Sequence, residues 1–123
     1  MKIVTRAQLL EKLNQWRAGT LSAVDLHNWA AVQHVPSRVD FDDWEGDRRF
    51  SVSKEVIEEL YMLDMNLVIS DDVPLFVEFL NTPRGQFEKG YIDFIAHLQK
   101  IDREERQKAL KDTEPYVKYC KSF

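Results

Sequence analysis

The residues with the clearest chemical potential are carboxylates, and they are concentrated in one short stretch. Five acidic side chains fall between positions 40 and 47, two aromatic side chains lie among them, and two arginines follow. Carboxylates at this density can hold a divalent cation or can face a basic partner. The acidic residues are Asp40, Asp42, Asp43, Glu45 and Asp47, and the aromatic residues are Phe41 and Trp44.

A cation site is the first interpretation to test, because a calcium-binding loop has a known spacing. An EF-hand loop needs oxygen ligands at positions 1, 3 and 5 and a glutamate at position 12. Counted from Asp40, position 5 is Trp44 and position 12 is Ser51. The spacing fails, and we predict no metal site and no cofactor.

The other side chains that could do chemistry do not form a catalytic set. His27 and His34 lie seven residues apart on one predicted helix, which is too far for both to bind one metal directly. No HExxH motif and no glycine-rich phosphate-binding motif occurs. Cys120 is the single cysteine, which excludes an internal disulfide, and such a lone thiol is more often packed than nucleophilic. We therefore predict that the protein is not an enzyme.

Two interpretations of the acidic stretch remain open. In the first, the aromatic side chains enter the core while the acids face water, and the stretch is a solvated loop. In the second, it binds a basic protein, since aromatic residues are favoured at the centres of interfaces and charges at their rims. A second group of acids occurs at the joint between two central helices. The candidate partner-binding residues are Asp40, Asp42, Asp43, Trp44, Glu45, Asp47, Asp64, Asp71 and Asp72.

The distribution of charge favours a basic protein as the partner. The net charge is −4, yet residues 1–20 carry +3 and residues 100–123 carry +2, so residues 21–99 hold −9. An acidic middle repels nucleic-acid phosphate and attracts a basic surface. We find no secretory signal peptide and no apolar run long enough to span a membrane. We expect a cytoplasmic protein that binds neither nucleic acid nor membrane directly and is a monomer or a weak homodimer.

The elements that must hold these residues are predicted to be helices. Four glycines and four prolines in 123 residues disfavour a sandwich or barrel, which needs many turns. We predict an all-α, compact single domain over residues 1–123, a bundle of five to six helices with one long acidic loop at about 36–51. About ten residues at the C-terminus either dock as a short turn or pack loosely. The helices are predicted at 5–18, 22–34, 53–66, 70–80, 82–101 and 102–111.

The third and fourth helices are predicted to form the central scaffold. Apolar residues recur at helical spacing between Ser53 and Leu80, in two stripes that are separated by an acidic joint. Ser70 is predicted to cap the fourth helix, and Thr82, which precedes a proline, to start the fifth. Gly90 lies inside the fifth helix, which predicts a close approach of its backbone to another helix.

Several features follow one another in a particular order. These are a helical pair with Trp29, the acids at 40–47, the segment LYMLD at 60–64, the acidic pair at 71–72 and the apolar pair at 79–80. This order resembles the bacterial self-protective immunity proteins typified by the colicin D immunity family. The resemblance covers residues 9–80, and the fifth helix with its charged extension has no counterpart in the short members. It implies a protein that masks the basic active site of a nuclease toxin without catalysis. It also implies that the binding acids are those at 40–47 together with Asp64, Asp71 and Asp72.

The leading hypothesis is therefore a non-enzymatic, acidic protein-binding module, an immunity- or antitoxin-like inhibitor of a nuclease toxin. A nuclease must be basic to hold phosphate, so an inhibitor that presents carboxylates gains both steering and affinity. The alternative is a structural or regulatory helical domain that self-associates through its aromatic faces. A small metal-dependent hydrolase that uses the acidic loop is the third hypothesis.

Overall fold

A computed structural model describes residues 1–120 of the chain. It confirms the all-α prediction, because six helices dominate and only a two-stranded sheet accompanies them in this part. None of these helices is long and apolar enough to cross a membrane. Two 3₁₀ turns, Ser70–Asp72 and Val117–Tyr119, complete the structure. The strands are β1, Lys2–Val4, and β2, Val39–Phe41, and the helices are α1, Arg6–Ala18, α2, Ala23–Gln33, α3, Val52–Tyr61, α4, Val73–Leu80, α5, Phe87–Gln99, and α6, Arg103–Leu110.

The first two helices begin and end where the sequence predicts. The Thr5 hydroxyl accepts a hydrogen bond from the N–H of Gln8, and the Gln8 side chain accepts one from the N–H of Thr5. Gly19 ends α1 with a φ of 82°, a left-handed conformation that glycine adopts without steric cost. Ser22 Oγ then accepts from the N–H of Asp25 at the start of α2. Local hydrogen bonds therefore determine the limits of this helical hairpin.

The long loop contains one regular piece that the sequence does not reveal. Strand β2 pairs in parallel with β1, with Lys2 opposite Val39 and Val4 opposite Phe41. Val4 and Val39 are both buried, so branched apolar side chains hold the two strands against the core. The acidic stretch therefore begins from a strand whose position is fixed by the N-terminus of the chain.

Helices α3 and α4 supply the centre of the core, as the sequence predicts. Leu60 on α3 and Phe76 on α4 are fully buried, and each such side chain contributes about 1.5–3 kcal/mol. Helix α2 packs on α3, and α1 packs on α4. Helix α5 covers α4 with aromatic rings, and Phe79 stacks on Phe94 with a centroid distance of 4.5 Å. The central pair is thus enclosed and positions the loops at both of its ends.

Helix α3 is shorter than the sequence predicts. It ends at Tyr61 instead of continuing to Asn66, and turns follow. Leu67 adopts a φ of 55°, which is uncommon for a residue with a branched apolar side chain. Leu63 and Leu67 are both fully buried, so the turns that follow Tyr61 keep both side chains in the core. Tertiary packing therefore overrides a helical pattern at this joint.

No side-chain hydrogen bond caps the start of α4 in the described structure. A 3₁₀ turn leads into the helix, and the side chain of Asp72 accepts the N–H of Ile69 at 2.9 Å. Ser70 makes no side-chain cap in the described structure, so that prediction is wrong. Asp72 is buried, and the hydrogen bond that it accepts from the N–H of Ile69 holds the 3₁₀ turn that precedes the helix.

Helix α5 begins later than the sequence predicts. The sequence predicts a start at Thr82 and Pro83, whereas the first helical residue is Phe87. The N–H of Thr82 donates to the carbonyl of Phe79 at 3.0 Å, so Thr82 still belongs to the end of α4. Thr82 is buried against Gly90, and the chain needs a turn before Phe87 to bring α5 back onto α4.

Gly90→Ala is expected to lower the free energy of unfolding by about 1–3 kcal/mol, as overpacking does elsewhere. A β-carbon at Gly90 would lie 2.7 Å from Thr82 Cγ2, so α5 would have to move away from the end of α4. Urea unfolding measures the loss. Adding Thr82→Ala removes the atoms that clash and should recover most of it, and an undiminished loss in the double variant would contradict this account.

The C-terminal segment packs against the joint between α3 and α4. Tyr116 is buried, and its hydroxyl donates to the carbonyl of Val68. Burial raises the pKa of Tyr116, so the hydroxyl stays protonated and remains a donor. Cys120 is also buried, and residues 121–123 lie outside the described part of the chain. Of the two arrangements considered for the tail, residues 116–120 adopt the docked one.

Candidate functional site

Asp43 is the buried anchor of the acidic stretch. Its carboxylate accepts hydrogen bonds from the hydroxyls of Ser51 and Ser53 and from the N–H of Ser53. Arg6 Nε, at the start of α1, donates to it at 2.9 Å. Burial raises the pKa of Asp43, but the hydrogen bonds from Ser51, Arg6 and Ser53 outweigh burial and leave the pKa lowered. The carboxylate is therefore ionised and internally paired at neutral pH.

Arg6 connects this anchor to the end of α4. Its Nη1 donates to the carbonyl of Leu80 at 3.0 Å and to that of Thr82 at 2.6 Å. The last carbonyls of a helix have no partner within the helix, so the guanidinium satisfies groups that would otherwise be orphaned. Asp43 and Arg6 together bind the acidic stretch to the ends of three helices.

Asp40 organises the surface half of the stretch. Its Oδ1 accepts from Trp44 Nε1 and from Arg48 Nη2, each at 2.8 Å. The hydrogen bonds from Trp44, Arg48 and the N–H of Phe41 lower the pKa of Asp40 to about 2. The Arg48 guanidinium lies 5.2 Å from the centroid of the Trp44 ring, and Phe41 meets that ring edge to face at 5.9 Å. Asp40 and Trp44 thus hold the loop in shape.

A tight turn closes the stretch. Gly46, Asp47 and Arg48 all have left-handed backbones, with φ of 59°, 57° and 65°. Across the turn, Glu45 and Phe50 exchange two backbone hydrogen bonds of 2.7 and 3.1 Å. A left-handed residue other than glycine costs about 1–3 kcal/mol, so it persists only where the surroundings hold it. Here the strand at one end and the buried anchor at the other impose the turn.

The residues after α4 hold the stretch from a third side. Glu45 Oε1 accepts from the N–H of Gly85 at 2.9 Å, and Arg84 Nη2 donates to the carbonyl of Asp42 at 3.0 Å. The carboxylates of Asp42 and Asp47 are exposed and form no hydrogen bond or ion pair within residues 1–120. The stretch is therefore a fixed loop with two free carboxylates, and we name residues 40–47 the acidic loop.

The acids of the α3–α4 joint belong to another part of the molecule. Asp72 is buried, and Arg106 donates to both of its carboxylate oxygens. Asp64 is buried with His27 Nε2 at 3.4 Å from its carboxylate. This joint precedes α4, whereas the acidic loop is tied to the last residues of α4. Helix α4 has eight residues and is about 12 Å long, and the two acidic groups lie towards its opposite ends.

The nine predicted partner-binding residues are therefore divided by the fold. Three of them carry buried carboxylates with internal partners, and because a buried side chain cannot contact a partner directly, we remove these three from the candidate surface. Three others are partly buried and shape the acidic loop or its cavity. The remaining three are exposed, one of them at the far end of α4. The buried residues are Asp43, Asp64 and Asp72, the partly buried ones are Asp40, Trp44 and Glu45, and the exposed ones are Asp42, Asp47 and Asp71.

A second acidic feature lies beside the loop, and sequence reasoning missed its importance. Glu55, Glu58 and Glu59 lie on α3, and only Lys54, which pairs with Glu58 at 3.0 Å, offsets them within the described residues. Burial and then repulsion from Glu58 raise the pKa of Glu55, and burial raises that of Glu59. Glu58 also lines the same cavity as Trp44, so this α3 stripe adjoins the acidic loop through Glu58, whereas Glu59 lines a different cavity with Ile95 and Leu98 of α5. In the sequence, the sign of this stripe is the presence of three acids within five positions.

Sequence reasoning also missed the role of Arg6. A cation at the first position of a helix opposes the helix dipole, so it needs a partner from elsewhere. An arginine at this position indicates that a partner exists elsewhere in the chain, but it does not identify which of the many acids is that partner. Asp43 lies 37 residues away and becomes the partner only in the folded chain.

A metal site finds no support in the geometry of the described part of the chain. Within residues 1–120, no group of three or more His, Cys, Asp or Glu side chains is arranged so that it could hold a metal ion. His27 on α2 and His34, which follows that helix, both stack on the ring of Tyr61, and the centroid distance from His34 is 4.3 Å. The five acids of the loop are divided between buried and exposed positions.

Comparison with known proteins finds no relative of this chain. No family model matches it, and neither does any curated protein or solved structure. The resemblance to the colicin D immunity family is not tested by these comparisons and stays a prediction from the residue pattern. A functional proposal must therefore depend on the geometry and charge of the chain itself.

Proposed function

We infer that this protein is a non-enzymatic module that binds a basic protein through the acidic loop and the adjoining α3 stripe. The resemblance to the immunity proteins extends this proposal to one class of partner, a nuclease toxin. In that case the module would cover the basic active site and so prevent phosphate from entering. Occlusion of this kind needs a preformed acidic surface and no catalytic group.

The observation that carries the proposal is the construction of the acidic loop. The buried Asp43–Arg6 pair anchors the loop, and β2 fixes its start. The N–H of Gly85 also holds the loop by donating to Glu45. Asp42 and Asp47 stay exposed without a partner among the described residues. A preorganised loop loses little conformational entropy on binding, so its free carboxylates can contribute their full interaction to affinity.

The α3 stripe supports a cationic partner independently of the loop. Burial and then repulsion from Glu58 raise the pKa of Glu55, and burial raises that of Glu59. Lysine or arginine side chains from a partner would relieve that repulsion. A basic surface would also be steered towards the acidic side, which speeds association at low ionic strength.

The double substitution Asp42→Asn/Asp47→Asn is expected to weaken binding of the basic partner about tenfold, mainly through slower association. Both changes preserve side-chain size, and asparagine tolerates the left-handed backbone at position 47. Candidate partners are the products of the reading frames next to the gene. Co-expression tests whether this protein relieves their toxicity, and surface plasmon resonance at two salt concentrations then measures affinity and rates.

The matched control for this experiment is Glu88→Gln/Asp112→Asn. It makes the same change in net charge at exposed positions outside the acidic loop and the α3 stripe. The control should bind within about twofold of the wild type, because only local charges act strongly at physiological salt. If no neighbouring product binds, or if both double variants weaken binding equally, the proposed surface is refuted.

A further inference from the structure

A groove lies between α3 and α5, which both pack on α4. Towards the C-terminal end of α5 it contains a cavity of about 380 Å³, whose lining includes Glu59 of α3 and Ile95 and Leu98 of α5. Towards the start of α5, the Phe50 ring stacks on Phe87 with a centroid distance of 5.1 Å. We name this feature the α3–α5 groove.

The α5 side of the groove is an apolar stripe that the rest of the chain covers only in part. Its residues recur every three or four positions, so they share one face of the helix. The first of them is buried, and the other three are half-buried and pack on the edge of the core. Phe50 extends the stripe beyond the helix and is 46% exposed. The stripe consists of Phe87, Tyr91, Ile95 and Leu98.

The α3 side of the groove carries carboxylates. Glu55 and Glu59 are half-buried, lie one helical turn apart and form no ion pair with any residue in 1–120. After burial, the charges of these two acids are the main causes that raise the pKa of Tyr91, so both carboxylates act on the stripe. Arg103 also lines the cavity, but its guanidinium donates to the carbonyl of Met65. The groove therefore combines apolar surface with negative charge that lacks an ion-pair partner in the described chain.

The walls of the groove determine the shape of the segment that fits it. Both walls are helices, whose backbone N–H and C=O groups are paired within the helix, so neither wall offers an edge to an added strand. A helix that lies along α5 presents its own side chains at the same three- and four-residue spacing, and the two sets can interdigitate. The stripe from Phe87 to Leu98 is about 16 Å long, which is about three turns of such a helix.

We propose that the α3–α5 groove receives a basic amphipathic helix of the partner protein, whose apolar face covers the α5 stripe and whose lysines or arginines pair with Glu55 and Glu59. The inference rests on the proposed function and adds a second point of contact with the same partner. The α3 stripe connects the two contacts, because Glu58 lines the cavity beside the acidic loop and Glu59 lines the groove. Phe50 connects them too, since its backbone bonds to Glu45 of the loop.

The test titrates the isotope-labelled 123-residue chain with a capped synthetic peptide and follows the backbone amides by NMR. The peptide has about 15 residues of leucine, alanine and lysine, with the leucines at three- and four-residue spacing so that they form one apolar face. A control peptide has the same composition in an order that gives no such face. The patterned peptide should bind about tenfold more tightly and should shift the amides of Tyr91, Ile95 and Leu98.

Glu55→Gln/Glu59→Gln preserves side-chain size and should weaken binding of the patterned peptide about tenfold. Burial disfavours both charges, so this variant should melt at or above the wild-type temperature, and unfolding cannot account for the loss. The matched control is Glu11→Gln/Asp112→Asn, which makes the same change in net charge at exposed positions outside the groove. It should bind the peptide within about twofold of the wild type.

Equal binding of the two peptides, shifts confined to other elements, or unchanged affinity in Glu55→Gln/Glu59→Gln would overturn the inference. So would shifts of the α5 stripe when the free protein is diluted, because a second copy of the chain would then occupy the groove. Asp42→Asn/Asp47→Asn should bind the peptide within about twofold of the wild type, since the peptide reports on the groove alone. A failed peptide test would leave the proposed function standing if that loop variant still lost binding of the partner.

Discussion

Asp43→Ala is expected to lower the free energy of unfolding by about 3–5 kcal/mol, the cost of breaking a buried ion pair by removing one partner. The substitution leaves Ser51 and Ser53 without their acceptor and Arg6 without its counter-ion. Arg6 Nη2 is already buried without a partner in the described structure, so the guanidinium has little scope to compensate. Urea unfolding followed by tryptophan fluorescence measures the effect.

Asp42→Ala is the matched control, since it removes the neighbouring carboxylate from an exposed position. Its effect on stability should stay within about 0.5 kcal/mol. Arg6→Met in combination with Asp43→Ala should cost less than the sum of the two single changes, because the pair is removed together. Equal losses from Asp42→Ala and Asp43→Ala would contradict the assignment of Asp43 as the anchor.

The lowered pKa of Asp43 also predicts how stability depends on pH. A carboxyl group whose pKa is lower in the folded state contributes stability that is fully present above its unfolded pKa of about 4. That contribution is lost as the pH falls through the folded pKa, and Asp40, with a pKa of about 2, acts in the same sense. The raised pKa values of Glu55 and Glu59 act oppositely and favour folding as the pH falls through them. Asp43→Ala should therefore lose less stability than the wild type below pH 4.

Arg106→Met is expected to lower the free energy of unfolding by about 2–3 kcal/mol, which is the second largest effect among the substitutions. It leaves the buried Asp72 without its cation and removes the donor to the carbonyl of Leu67 at 2.9 Å. Leu67 has a left-handed backbone, so this hydrogen bond helps to hold a strained residue in place. The loss should appear in urea unfolding and as faster proteolysis of residues 100–120.

Arg103→Met tests whether that effect is specific. Arg103 lies on the same helix and donates to the carbonyl of Met65 at 2.8 Å, but it has no buried counter-ion and is exposed. Its replacement should lower the free energy of unfolding by less than about 1 kcal/mol. If the two arginine variants lost equal stability, the C-terminal segment would be held by the packing of α6 as a whole. The Asp72–Arg106 ion pair would then have no special role.

The structure changes how the acidic loop should be studied. Neutralising all five of its acids together would remove Asp43 and Asp40, which hold the loop, along with Asp42 and Asp47, which face solvent. A loss of binding in such a variant would report unfolding as readily as a lost contact. Only the exposed pair separates recognition from stability, and we therefore rest the functional test on Asp42 and Asp47.

Much of the helical framework could be predicted because its signals are local. The Thr5–Gln8 capping box, the left-handed Gly19 and the Ser22 cap all act within a few residues of a helix end. A close approach at Gly90 was also predicted from its place inside an apolar helical pattern, but the neighbour is the side chain of Thr82, just after α4, and not another helix. The exact ends of α3, α4 and α5 could not be predicted, since tertiary packing decides them.

By itself, the sequence determined the helical class, the order of the helices and the concentration of acids in one loop. The tertiary structure alone decided which acids are structural and which are free. Asp43 pairs with Arg6 across 37 residues, and Asp72 pairs with Arg106 across 34. Neighbouring aspartates such as Asp42 and Asp43 have the same intrinsic chemistry. Their different roles depend on burial and on partners that only the folded chain brings together.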